Sequence, residues 1–189
     1  MAIYFILVKM SGDRTKNTFV IRNLRNDDFK DIVDNFYDRY REIRVNPTLG
    51  VGLYKKKPTI KEEKRWFSGR LKQIRSRNAF VSIAELDGKV VGMCDVFPPK
   101  PTTDYLHIGH LGISIKDGYR SMGIGTALLC DALKKSRGRY RIIVLEVFRT
   151  NKQAIRLYKR FGFKIYGNLP GGVVRGKLHT DRIFMYLRV

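Results

Sequence analysis

The stretch "YRSMGIGTALL", Tyr119 to Leu129, sets Arg120, Gly123 and Gly125 directly before apolar residues at helical spacing. It reads as a turn between a strand that ends at Ile115 and a helix carrying Ala127, Leu128, Ala132 and Leu133. Glycine lets a backbone approach a ligand closely, and the first N–H groups of a helix have no internal partner and favour an anion. Gly118 and Gly123 have the glycine spacing of a phosphate-binding P-loop, but Ile124 and Gly125 stand where its lysine and hydroxyl residue belong. Gly171, Gly176 and Lys177 repeat that spacing, with Leu178 in place of the hydroxyl residue and a strand following. The dinucleotide fingerprint is incomplete too, because Leu128 replaces its third glycine. Two readings stay open: a cradle for an anion, or a turn that uses glycine for shape alone.

Working outward, the chain alternates strands and helices. Phe19 to Leu24 reads as a strand, and Asn26 as the N-cap of a helix carrying Phe29, Ile32, Val33, Phe36 and Tyr40. A loop from Asn46 to Pro58 leads to "TIKE", Thr59 to Glu62, a capping box before Trp66, Phe67, Leu71 and Ile74. Phe80 to Leu86 and Val90 to Val96 form a hairpin about Asp87 and Gly88. A third strand of that group runs from His107 to Ile115. Beyond the opening stretch, Tyr140 to Phe148 is an apolar run typical of a buried strand, and "TNKQ", Thr150 to Gln153, caps a helix ending at Gly162. Phe163 to Tyr166 and Arg182 to Val189 are the last strands, with a glycine-rich loop, Gly167 to Asp181, between them.

Composition narrows the class. With 189 residues, 43% of them hydrophobic, the chain suits one domain, 18–189, preceded by an extension or extra strand over 1–17. Cys94, Cys130 and three histidines have no metal-site or redox spacing, so no metal is expected. The apolar run Ala2 to Val8 is too short for a bilayer and lacks the flanks of a signal peptide, which points to a cytoplasmic protein without a membrane partner. Lys and Arg number 38 against 17 Asp and Glu, a net charge of +21 spread along the chain. Such a field attracts polyanions in general, and weak, non-specific association with nucleic acid is expected.

Arg120-x-x-Gly123-x-Gly125 and the segment "LEVFRTNKQAIRLYKRFGF", Leu145 to Phe163, give the reading its second half. Together they resemble the GNAT (Gcn5-related) N-acetyltransferases, closest to the branch that acetylates the N-terminal alanine of a ribosomal protein. Asn151, Ala154, Leu157, Tyr158, Gly162 and Phe163 fall at that family's positions. The resemblance covers the chain from Phe19 onward and implies a single-domain α/β (α+β) fold. Its sheet would be mixed, mostly antiparallel and twisted, flanked by helices, with splayed central strands.

It also implies acetyl-coenzyme A as cofactor, with coenzyme A as product and no metal. The pyrophosphate would lie on the N–H groups of Ser121, Met122, Gly123, Ile124, Gly125 and Thr126, with charge added by Arg120. The pantetheine arm would pair with Ile113, Ser114 and Ile115, and Asn151 would touch the cofactor. Glu146 would be the general base and Tyr158 the general acid of direct transfer, with His110 the substitute base. The acceptor implied is a primary amine, on a protein or peptide N-terminus or a lysine, and the protein a monomer or homodimer. The rival readings are a small-molecule amine acetyltransferase and a basic nucleic-acid-binding module on a non-catalytic scaffold of this fold.

Overall fold

The computed structural model describes residues 4–5, 18–49, 56–99 and 103–189. Its elements run β1 (Tyr4–Phe5), β2 (Val20–Asn23), α1 (Phe29–Val45), α2 (Ile60–Arg75), β3 (Phe80–Leu86), β4 (Lys89–Phe97), β5 (Ile108–Ile115), α3 (Ile124–Ser136), β6 (Ile142–Phe148), α4 (Lys152–Arg160), β7 (Lys164–Arg175) and β8 (Leu178–Arg188). The strands form one sheet in the order β1-β2-β3-β4-β5-β6-β8-β7. Neighbours are antiparallel except β5 and β6.

Two apolar layers cover the sheet. Leu128, Leu129 and Ala132 of α3 pack with Leu111, Ile143, Leu145 and Val147 on one face. On the other face Ile32 of α1 and Phe67 of α2 close over Val81, Ile83 and Val90. Burial on both faces explains why β3 and β4 read as nearly continuous apolar runs, whereas in β6 the buried positions Ile143, Leu145 and Val147 alternate with part-buried Ile142 and Val144 and exposed Glu146. The β3–β4 hairpin turns on Asp87 (φ 51°) and Gly88 (φ 73°), both left-handed, as a two-residue primed turn requires.

The feature that shapes the site is where pairing stops. β5 and β6 are in register only from Ile108 opposite Ile142 to His110 opposite Val144. β4 follows β5 as far as Ile115, while β8 follows β6 as far as Phe148. Past His110 the two central strands therefore part, each holding one neighbour and, among the described residues, presenting a free edge to the gap.

Three expectations need correction. The stretch Gly167 to Asp181 is not a loop; β7 and β8 form a long hairpin that turns at Gly176 (φ 57°). Pro170, Gly171 and Gly172 occupy the irregular part of the ladder, where register shifts between Leu169 and Val173, Gly167 sits at a second shift, and β7 is a sheet edge, where a missing N–H is tolerated. Asn26 does not cap α1, because 26–28 form one 3-10 turn in which the Asp28 carboxylate accepts the Arg25 N–H at 2.7 Å. Asp28 is buried by its pairing with Arg22, at 2.6 and 2.8 Å. On α4 the capping residue is Asn151, whose Oδ1 accepts the Ala154 N–H at 3.1 Å, and the Thr150 hydroxyl instead donates to Thr48 O at 3.1 Å.

Candidate active site

The gap between β5 and β6 opens into a cleft of about 430 Å³. Ile113, Ser114 and Ile115 form one wall, and Arg120, Ser121, Gly123, Gly125 and Thr126 the floor. Asn151, Gln153, Ala154, Leu157 and Arg160 of the α4 region close it. Nine of the eleven residues expected at a cofactor thus meet in one space. The exceptions are Ile124, fully buried under the turn, and Met122, packed against the same core.

The turn is built to present backbone. Gly118, Ser121 and Gly123 all have left-handed φ, at 82°, 65° and 80°. Gly123 caps α3 with no side chain bonded to the helix start, leaving its first N–H groups to the cleft. At Gly125 a Cβ would sit 3.2 Å from Ile115 Cδ1 and 3.4 Å from Leu157 Cδ2, so a side chain there would crowd both cleft walls. Gln153 Nε2 donates to Ser121 Oγ at 3.1 Å, tying α4 to the turn. A phosphate-bearing group fits this cradle of bare N–H groups.

Arg120 is engaged elsewhere. Its guanidinium grips both carboxylate oxygens of Glu42 on α1, one at 2.7 Å, and also reaches Asp117 Oδ1 and Ile115 O, each at 3.3 Å. The Glu42 hydrogen bond pushes its pKa up, against the opposing effect of burial. Its charge is shared with α1 and with the end of β5, so it braces the mouth of the cleft.

Glu146 and Tyr158 lie on opposite sides of the sheet. Ile143, Leu145 and Val147 face the α3 core, so Glu146 projects to the α1–α2 side, where its Oε2 is 3.1 Å from Arg182 Nη1. Tyr158 is in the α3 core with its ring 5.7 Å from Phe163. Burial, and secondarily Cys94, push the phenol pKa up, so it holds its proton. Cys94 is the register partner of Ile113 in the cleft wall.

His110 is on the Glu146 side, in a second space of about 530 Å³ under α1 and α2. Burial lowers its pKa, Arg70 adding to the effect and Glu146 opposing it. That space holds a buried pair the sequence reading missed, Arg70 Nη2 to Asp95 Oδ2 at 3.1 Å. Burial raises the Asp95 pKa to about 6 despite the opposing pull of Arg70. The signal was present, since Asp95 interrupts the apolar run "VVGMCDVF" of a central strand. Arg39 of α1, also missed, lines both the cleft and this second space. Among the described residues no group of three metal-ligating side chains occurs, and no helix is long and apolar enough to cross a membrane.

Comparison with known proteins agrees with this geometry. The family model described as "Acetyltransferase (GNAT) family" matches residues 35–163. An uncharacterised N-acetyltransferase of Methanocaldococcus jannaschii is 33% identical over 153 residues, 78% of this chain and 61% of that protein. An N-alpha-acetyltransferase of Sulfurisphaera tokodaii is 34% identical over 105 residues, 50% of this chain and 62% of its own. The chain thus matches less than two thirds of either relative's length. The fold is shared with a GNAT superfamily phosphinothricin acetyltransferase of Sinorhizobium meliloti, solved in complex with acetyl-CoA. The TM-score is 0.75 at 22% identity, covering 89% of this chain and 87% of that one. The splayed sheet, the glycine turn and the family match place this chain in the GNAT acetyltransferase family.

Proposed function

We propose that the protein transfers an acetyl group from acetyl-coenzyme A to a primary amine, and that the amine is the N-terminus of a protein or peptide. One observation carries the first part: the cleft opens where β5 loses β6, and its floor is the side-chain-free start of α3. The name of the Sulfurisphaera relative supports the second part. Bound acetyl-coenzyme A would supply an activated acyl group and an anionic pyrophosphate that anchors it.

In this reading the N–H groups from Ser121 to Thr126 hold the anion, and Gly123 and Gly125 keep side chains out of its space. Ile113, Ser114 and Ile115 offer an unpaired strand edge to an amide-bearing arm, and an N–H of that edge polarises the reacting carbonyl. Asn151 fixes the start of α4 against the same cleft. Glu146, on the α1–α2 side, takes the proton of the incoming amine, directly or through water. Tyr158, kept protonated by burial, gives a proton to the departing sulfur from the other side.

The test is mass spectrometry of peptides after incubation with labelled acetyl-coenzyme A, for the wild type and Glu146→Gln. Label on the peptide α-amine supports the reading. The variant should lose most activity at low pH and recover part as pH rises, because solvent then deprotonates the amine. No labelled amine, or a Glu146→Gln profile parallel to the wild type, counts against the corresponding part.

A further inference from the structure

The second cavity lies on the face of the sheet away from Tyr158, and its walls are largely apolar. Phe36 of α1, Trp66 of α2 and Phe97 of β4 supply three rings. Asp95 lies beside Gly112, its register partner on β5, and a Cβ on Gly112 would meet Asp95 Oδ1 at 2.8 Å. The carboxylate therefore fills the place that a side chain at position 112 would take. The next residue, Ile113, lines the cleft, and Arg39 borders both spaces. The cavity meets the cleft beside the strand edge assigned to the acyl group.

Two polar atoms of the cavity's own residues have no hydrogen-bond partner among the described residues: Arg70 Nε and His110 Nδ1. Arg70 is only 7% exposed, so water does not relieve the deficit cheaply. Arg70 Nε can only donate, and a neutral imidazole can carry its proton on Nδ1. The missing partner is therefore an oxygen acceptor. Asp95 is already paired with Arg70 at 3.1 Å, and Arg39 and Arg70 lie over the rings of Phe36, Trp66 and Phe97, so the ammonium is what the acetyl-transfer reading brings to Asp95, and the apolar walls receive the rest of the acceptor. An ammonium, a carbonyl or carboxylate oxygen and an apolar substituent on one carbon make an α-aminoacyl group.

Resting on the acetyl-transfer reading above, we infer that this cavity is the acceptor site and takes an α-aminoacyl group with an apolar side chain, whether a free amino acid or the first residue of a peptide. Asp95 receives the ammonium next to β5, Arg70 and His110 receive the oxygen, and the side chain rests against Trp66. A lysine side-chain amine or a plain alkylamine lacks the oxygen and leaves both donors unmet.

The full chain is assayed with acetyl-coenzyme A and four probes: L-phenylalanine, a C-terminally amidated hexapeptide beginning with phenylalanine, phenethylamine and Nα-acetyl-lysine. L-phenylalanine or the peptide should exceed phenethylamine in kcat/KM by about 100-fold or more, as for a site whose buried donors lose their partner. Whichever of the first two is better identifies the source, and Nα-acetyl-lysine should give no product. His110→Phe should lower kcat/KM for L-phenylalanine or the peptide about 10-fold more than for phenethylamine, while the melting-point rise with acetyl-coenzyme A stays at the wild-type value. Equal use of phenethylamine, acetylation of Nα-acetyl-lysine, or an equal loss on both amines in His110→Phe overturns the inference. So does stabilisation by acetyl-coenzyme A with no transfer to L-phenylalanine or the peptide, which leaves cofactor binding standing. No stabilisation by acetyl-coenzyme A defeats the acetyl-transfer reading as well.

Discussion

Tyr158 presents the sharpest conflict between packing and chemistry. It is 5% exposed, and a phenol among apolar side chains has a packing role whether or not it reacts. Tyr158→Phe keeps the ring and its contact with Phe163 and removes one oxygen. If that oxygen protonates the leaving sulfur, turnover should fall by about 10²-fold or more with cofactor affinity unchanged, as single-turnover kinetics would measure; undiminished turnover would reject the role. Asp95 gives a prediction of a different kind. Its folded pKa, about 6, lies above the ordinary 3.8, so the native state binds that proton more tightly than the unfolded chain. The stability it adds is complete below pH 3.8 and is lost as pH rises through 6. Relative to Asp95→Asn, wild-type stability should decline across that window by roughly 2–3 kcal/mol, as denaturant midpoints at each pH would show. The charged and titratable groups that line the cavity with Asp95 are Arg39 of α1, Lys56 ahead of α2, Glu62, Glu63 and Arg70 of α2, and His110 of β5, and the comparison with the variant cancels their common titrations. A difference that is flat or grows with pH would contradict the burial argument.

At the scale of elements, the start of α4 serves both fold and site. Asn151 caps the helix through Ala154 N–H and lines the cleft, so Asn151→Ala should cost about 1 kcal/mol of stability and also weaken cofactor binding. Calorimetry with and without acetyl-coenzyme A would separate the two effects; a loss of stability with unchanged affinity would leave Asn151 a cap only. Elements set by local chemistry were the legible ones. Thr59 and Glu62 cap α2 reciprocally, with Glu62 N–H donating to Thr59 Oγ1 at 3.3 Å and Thr59 N–H to Glu62 Oε2 at 2.7 Å. Asp87 and Gly88 turn the hairpin as their residue types require. The β7–β8 hairpin was misread because glycine and proline signal a loop locally, whereas a long partner strand tolerates them as bulges on an edge. The candidate site divides in the same way. The glycine turn announced itself, but the Glu42 grip on Arg120 joins residues 78 positions apart, and Arg39 reaches the cleft only through the packing of α1 on the sheet. Tertiary pairs of that kind leave no spacing in the chain.

At the scale of the whole molecule, folding leaves the +21 net charge unchanged, because each ion pair joins one charge of either sign and the excess of 38 basic over 17 acidic side chains remains. Nucleic acid should therefore bind weakly, without sequence preference, and lose affinity steeply with salt, as fluorescence anisotropy across a salt series would show. Tight, sequence-selective binding at high salt would favour a nucleic-acid module on this scaffold instead. The central claim is that the gap between β5 and β6, floored by the glycine turn, is a site for acetyl-coenzyme A. The direct measurement is thermal unfolding of the wild type and Gly123→Val with and without the cofactor. A ligand bound only by the native state adds about 2.7 kcal/mol at a hundred times its Kd, a rise of roughly 5–10 °C for a chain of this size. In Gly123→Val a β-branched side chain is forced to a φ of 80° beside the anion, so the variant should melt cooperatively, at a lower temperature, and show no rise. No rise in the wild type at saturating cofactor, or an equal rise in a folded Gly123→Val, would contradict the claim.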